Sequence, residues 1–519
     1  MSSRVFFDSK LPEVKLVGAI NDPYDLSVAT ARTCYSSKGI ISVEEVSQDE
    51  KSKMLRDRIA ASTLEAGHLT TRQHAHFVFA MSHVSRSFIW SFLHSHPFYN
   101  SEQVSQRYVK VKEGHMTIPK LTGSARELYQ KILNLQMSAY LQLIERLQPV
   151  VREEYFKIFK NRKWEKRWLS VVEKKTYEIA RYVLPIATHA YLYHTVSALT
   201  LLRYAKMCEM GDVPTEQRYV VGRMVAEVLK HDPEFEKELR EPIEATEEFS
   251  WLSMAAPSAS ENQFVKEFDE VLKGKVSALI DSSSQAEKTL AHAVRTVLAQ
   301  PKQVLPDEAA IELVLNPHKN KILSNTLNVM TFSKITRALH SVHFTFQKKL
   351  SHTADSQDQR HRMTPAARPL LSLHYRGIPD VMTPKLMTMV PKAHSLYEDV
   401  VDQTVQGINT LLKEGVSFEK AHYLLPNAWA IRLVESGDLL NWHHKWKLRT
   451  CYTAQDEIFY ASVQELLEVE RRFPLISKYI QAPCFVRKLA QVKPYCPEGD
   501  RFCGVPVWNL PITAYERII

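Results

Sequence analysis

Glycine is scarce in this chain, 14 of 519 residues, and no Gly-rich phosphate loop, GxSxG elbow or HExxH pair occurs in it. Dinucleotide binding by a Rossmann unit is therefore not expected. Cysteine is scarce too: Cys34, Cys208, Cys451, Cys484, Cys496 and Cys503 are scattered and form no CxxC. Neither a disulfide scaffold nor a four-cysteine zinc site is indicated, and no metal is expected. The tail phrase "CPEGDRFCG" sets Cys496 and Cys503 in one loop near Cys484. Three thiols there have the capacity to hold a metal, but a plain turn-rich tail is the expected reading. Apolar runs approaching the roughly 20 residues that span a bilayer are also missing, and the opening "MSSRVFFDSKLPEVK" has no apolar signal core. No membrane partner is expected, and the cytoplasm is the expected compartment.

What is present is a globular composition, 45% hydrophobic, long enough for two or three domains. Lys and Arg exceed Asp and Glu by nine, which favours anionic partners. The basic residues are dispersed and no RNA or DNA motif accompanies them, so nucleic acid is not the expected anion. Helical spacing of apolar residues over 125–160, 216–240, 395–413 and 456–473 makes helix dominant. The stretch "EEFSWLSMAAPSASENQ" reads as a tether. The expected organisation is an N-terminal domain over 1–246, a linker over 247–270, a C-terminal domain over 271–480 and a tail over 481–519.

The two halves are weakly self-similar, in order. "KLVGAIND" (15–22) matches "KVSALIDS" (275–282), and helical runs holding "ART" and "VRT" follow. "QHAHFVF" (73–79) matches "LHSVHFTF" (339–346), and "ARYVLP" (180–185) matches "AHYLLP" (421–426). Four matches in one order point to a duplicated domain of roughly 240 residues.

Several constellations have the chemistry to hold an anion. Gln357 and Arg360 close a helical run on one face, and with His361 and Arg362 they set guanidiniums around an imidazole, a fork for phosphate or an anionic ring. The alternative is a solvated basic helix end. Ser105 and Arg107, if extended, converge on one side; the alternative is an exposed polar strand. Arg181 stands alone in an apolar helix, where burial is costly without an anion or an ion-pair partner. The run "LLNWHHKWKLRTCYTAQDEIFYA" sets His444, Arg449, Gln455 and Glu457 among tryptophans that would either wall a flat ligand or pack a core.

Together these phrases resemble the flavin-dependent thymidylate synthase family, whose signature is RHRxxSxNExSxRY with a Gln three residues before its first Arg. In this chain the signature is divided. The second half has Gln357, Arg360, His361 and Arg362, then departs at "MTPAARP"; it also has "LRTCYTAQDEI", with Arg449 at the family's catalytic position. The first half keeps "EQVSQRY", "GHLTTRQHAHFVF" and "ARYVLP". In the family the nucleotide site is built across subunits, and these retained sets match the two contributions.

The resemblance implies a helix-rich α+β fold in two copies and reductive methylation of dUMP to dTMP. FAD would carry hydride, with NADPH and methylene-tetrahydrofolate as co-substrates. It implies Arg449 as catalytic; Gln103, Ser105, Gln106, Arg107, Arg181, Gln357, Arg360 and Arg449 for dUMP; and His68, Thr70, Glu102, Arg360, His361, Arg362, Asp438 and His444 for FAD. The family's Asn and Arg before the late helix are Asp438 and Leu440 in one half, Ser197 and Leu199 in the other, and its Glu falls at Glu102 or Gln103. A nucleotide hydroxymethylase on the same scaffold and an inactive nucleotide- or flavin-binding regulator are the alternatives. A homodimer forming a pseudo-tetramer is the expected assembly.

Overall fold

The computed structural model describes residues 6–94, 96–210, 213–240, 259–517 and 519. Two four-stranded antiparallel sheets carry the architecture. The first comprises β1 (Glu13–Ala19), β2 (His76–Ser85), β3 (Asn100–Gln103) and β4 (His189–Ser197), in the order β1-β2-β4-β3. The second comprises β5 (Ser277–Ser282), β6 (His343–Ser351), β7 (Ala366–Ala367) and β8 (Ala430–Asp438), in the order β5-β6-β8-β7. The sequence repeats fall on equivalent strands: His76 faces Ser197 in one sheet, and His343 faces Asp438 in the other. In each copy the second strand alternates, Phe77, Phe79 and Met81 or Phe344 and Phe346 facing the core. It then ends on a serine that caps the next helix, Ser85 accepting from the Phe88 N–H and Ser351 from the Ala354 N–H. The chain is thus α+β, with two copies of one fold.

Three expected helical runs fold as Gly123–Ile158, Pro391–Lys413 and Asp456–Arg472; the fourth becomes helix Thr215–His231 followed by a short turn, Pro233–Lys237. Two readings are corrected. The run before the Arg-His-Arg triplet is not a long helix but strand β6 and a seven-residue helix, His352–Asp358, so Arg360 lies beyond its end. Trp442 and Trp446 wall no ligand: both are fully buried, their indole N–H groups donating to the Phe344 carbonyl and to Glu465. Residues 241–258, which include the first part of the tether expected over 247–270, lie outside the described residues. From Ala259 the chain is helical to Leu272, and Asp269 pairs with Arg432 and Lys349 of the second sheet. In the tail, Val486, Val507, Ile512 and Tyr515 join the second core.

The copies share a core. Helices Gly123–Ile158 and Pro391–Lys413 lie against each other, and Gly407 lets them approach: a Cβ there would meet Ile132 Cδ1 at 2.1 Å. A pseudo-two-fold axis runs between Pro185 and Pro426, which form a bridge flanked by reciprocal backbone bonds. Ile186 and Ala187 donate to Leu425 and Tyr423, while Asn427 and Ala428 donate to Leu184 and Tyr182. Around this axis each copy sends a tyrosine into the other. Tyr423 donates to Glu216, which also receives the Ser85 hydroxyl and N–H; Tyr182 donates to Glu457, which receives the same two groups of Ser351. Burial pushes both carboxyls up from their ordinary value, and these hydrogen bonds counteract the rise. Tyr423→Phe leaves a buried carboxylate one donor short, so a loss of about 1–3 kcal/mol is expected in urea unfolding. Tyr182→Phe should cost a similar amount.

Candidate active site

Where the copies meet, a cavity of about 160 Å³ is lined by residues of both. All eight residues expected to face a nucleotide border it: Gln103, Ser105, Gln106, Arg107 and Arg181 from the first copy, Gln357, Arg360 and Arg449 from the second. Strand β3 ends at Gln103, and the Ser105 hydroxyl turns back to accept the Arg107 N–H. The segment is therefore a tight turn and not the extended arrangement read from the spacing. Arg107 pairs with Glu178 at 3.0 Å and donates Nη2 to the Thr453 carbonyl of the other copy. Arg181 follows the helix Leu169–Ala180, its Nε on the Glu178 carbonyl and its Nη2 buried with no partner among the described residues.

Two contributors carry no sequence phrase. Arg86 opens the apolar helix Arg86–Leu93 and donates to Gln103 Oε1 and the Val104 carbonyl, which shapes the β3 turn. Burial and the neighbouring Arg181 pull its guanidinium down to about 9. A lone cation at the head of the apolar stretch "RSFIW" was the available signal, the same one that marks Arg181. Asn427 donates to Gln106 Oε1 and to the Arg181 carbonyl. Five guanidiniums thus border the cavity, and none of its lining residues is a carboxylate. Buried donors without partners among the described residues, on Arg86, Gln106 and Arg181, add to the demand for an anion.

Arg449 ends the helix Leu439–Arg449, where its Nε donates to His361 Nε2 at 2.8 Å and its Nη2 to the Gln357 carbonyl. Burial, Arg449 and Lys445 hold His361 well below the ordinary imidazole value, so it stays neutral and able to accept. Behind it Asp358 is fixed by Lys348 and Lys445 in a fully buried network with Glu435 and Glu465. His361 therefore sits behind Arg449 and not on the cavity wall.

The other residues expected at a flavin are dispersed. Arg360 is exposed and pairs with Glu102 across the copies at 3.2 Å. Arg362 donates to the Pro97 carbonyl and lies over the Tyr99 ring. His444 contacts the His361 ring edge, and its buried Nδ1 has no partner among the described residues. Asp438 caps its helix through the Asn441 N–H and pairs with His340. His68 and Thr70 are exposed just ahead of β2, whereas Arg86 follows its far end. A ten-residue strand separates them by roughly 33 Å.

The pseudo-axis generates a second cleft, of about 100 Å³, with its chemistry removed. Ala367 faces Val434 as Glu102 faces Tyr193, so Leu370 and Leu371 stand where Ser105 and Gln106 stand in the first cleft. His422 replaces Arg181, and Ser91 replaces Gln357. The ring of His422 takes no anion; Ser87 and the Glu419 carbonyl occupy its two nitrogens.

Fold and site define a duplicated α+β protein whose cationic cleft is shared between its copies. Residues 15–234 and 278–475 both match the family model described as thymidylate synthase complementing protein, and the chain belongs to that family. It is 27% identical over 224 residues to a flavin-dependent thymidylate synthase of Clostridium tetani, covering 43% of this chain and 84% of the relative. It is 26% identical over 170 residues to one of Geobacter sulfurreducens, covering 32% and 70%. A third, from Saccharolobus solfataricus, is 28% identical over 156 residues, covering 29% and 57%.

Proposed function

We propose that the chain is a flavin-dependent thymidylate synthase with one composite site, methylating dUMP to dTMP with methylene-tetrahydrofolate as carbon donor and NADPH as reductant. The observation that carries this reading is the five guanidiniums drawn from both copies around one cavity, two of them paired, Arg107 with Glu178 and Arg360 with Glu102. Such a ring suits a phosphate dianion, because guanidinium offers paired donors and stays charged. Arg107 and Arg181, with the turn at Ser105, hold the phosphate. Gln106 and Gln357 orient the sugar and base, and Arg449 faces the charge that develops on the uracil. FAD, when bound, supplies hydride. The polar groups that would hold it are Arg360 with Glu102, together with Arg362 and His444, whose buried Nδ1 has no partner among the described residues. His68 and Thr70 stand too far from this cleft to join it within one chain, which supports a homodimer in which a second chain brings them. Tyr191 and Tyr193, more than half exposed on the outer face of β4, offer surface for that pairing.

The test is tritium release from C5-labelled dUMP. Release that needs both NADPH and methylene-tetrahydrofolate supports the reading; formaldehyde-derived hydroxymethyl product, or no release from yellow protein, overturns it. Arg107→Gln is expected to weaken dUMP binding by about 1.5–3 kcal/mol, with no effect on deoxyuridine, as calorimetric titration would read. His422→Gln, at the matching place in the second cleft, should leave dUMP affinity unchanged.

A further inference from the structure

Four of the six cysteines meet in one place. Cys484, Cys496 and Cys503 of the tail are joined by Cys451, from the loop after Arg449, around a small cavity of about 30 Å³. Its remaining walls are mainly apolar, with Tyr452, Phe502 and Val507 prominent. No disulfide links any of the four. All four line the same cavity, so the cysteines surround a common void.

They do not close on a point. No three His, Cys, Asp or Glu side chains among the described residues converge closely enough for one metal ion. A tetrahedral zinc with bonds of about 2.3 Å needs its sulfurs about 3.8 Å apart. A cluster of several irons and sulfides holds its four thiolates farther apart and fills an apolar void between them. We propose that Cys451, Cys484, Cys496 and Cys503 bind an iron–sulfur cluster of the [4Fe–4S] type, each thiol releasing its proton to solvent as it becomes a ligand.

The centre has a structural task. Cys451 lies in the loop that joins Arg449 to Gln455, and Thr453 of that loop takes the Arg107 hydrogen bond. The tail holds the same loop from its other side, Arg517 donating to the carbonyls of Tyr452 and Ala454. A cluster bridging Cys451 to three tail cysteines thus fastens the segment that follows Arg449 in the chain and takes the Arg107 hydrogen bond.

Metal content tests this independently of turnover. Full-length protein purified without oxygen from iron-replete cells is expected to hold about four irons and four acid-labile sulfides per chain, and no zinc. Dithionite reduction should bring up a paramagnetic signal that FAD alone does not give. One zinc per chain, iron without labile sulfide, or four freely titrating thiols with no metal would each overturn the proposal. Cys496→Ser should lose the labile sulfide, whereas Cys34→Ser, at an exposed cysteine outside the group, should keep it. If Cys496→Ser fails to fold, the stoichiometry of the unaltered chain still decides.

Discussion

Arg449→Ala is expected to lower kcat by about 10²–10³-fold while leaving the protein folded and yellow, the size of loss that follows removal of one preorganised donor at a developing anion. The argument starts from what holds the side chain. Its Nε is committed to His361 and its Nη2 to the Gln357 carbonyl, which leaves Nη1 to a ligand. Burial lowers the guanidinium from its ordinary value, and Asp358 partly restores it. Arg remains charged under those conditions, and in a site with little water its field is weakly screened. In the proposed reaction the charge facing Arg449 develops only as the pyrimidine is activated, so kcat and kcat/KM should fall together. Arg107→Gln should act mainly on KM. His361→Ala separates the roles further: losing the acceptor behind Arg449 should reduce kcat with dUMP affinity retained, and His361→Gln, which keeps an acceptor, should restore part of it. Unchanged turnover in Arg449→Ala would refute its assigned role.

What could be read from the sequence divides along physical lines. The two-copy fold was legible because repeated phrases fall at equivalent places: "HAHFVF" opens β2, "VHFTF" opens β6, and ARYVLP and AHYLLP meet at the pseudo-axis. Of the eight residues expected at the cavity, Arg181 stood out on physical grounds, as a guanidinium in an apolar run; the set as a whole was implied by the family resemblance, and all eight border the cavity. Arg86 carried the same signal as Arg181 and was missed, because its role, supporting a turn 17 residues on, arises from tertiary packing, as does the reach of Asn427 to the other copy. Helical periodicity cannot separate a ligand wall from a core, which is why Trp442 and Trp446 were ambiguous. Cys451 was invisible as a partner of the tail cysteines, since its proximity to them is set by the fold. The second cleft shows why complementary loss is tolerated. Once Leu370, Leu371 and His422 stand where Ser105, Gln106 and Arg181 stand in the first, the remaining apolar surface contributes to holding the copies together.

Acidification is expected to unfold this protein in a range where carboxylates are still largely ionised. Burial holds His94 and His422 at about 4 and His194 and His352 at about 3, below the ordinary imidazole value of 6.5, and it holds His361 and His443 well below that value too. Between those values and 6.5 the unfolded chain binds more protons than the native one, so stability falls as pH falls. Each such imidazole costs about 1.4 kcal/mol per pH unit once pH is well under 6.5. Glu216, Glu457 and Asp456 oppose them, since burial raises their folded-state values, Asp456 to about 6, so they take up protons on folding. The lowered imidazoles outnumber the raised carboxyls, so the balance is a net loss of stability as pH falls, drawn from a total of about 5–15 kcal/mol. Far-UV circular dichroism should therefore hold from pH 8 to about pH 6.5 and collapse around pH 5, with net proton uptake in a pH-stat. A far-UV spectrum unchanged at about pH 4 would mean that these imidazoles are solvated or charge-paired in solution. Saturating dUMP should move the transition to lower pH, because a ligand held by the native cleft adds RT ln(1 + [L]/Kd) to stability.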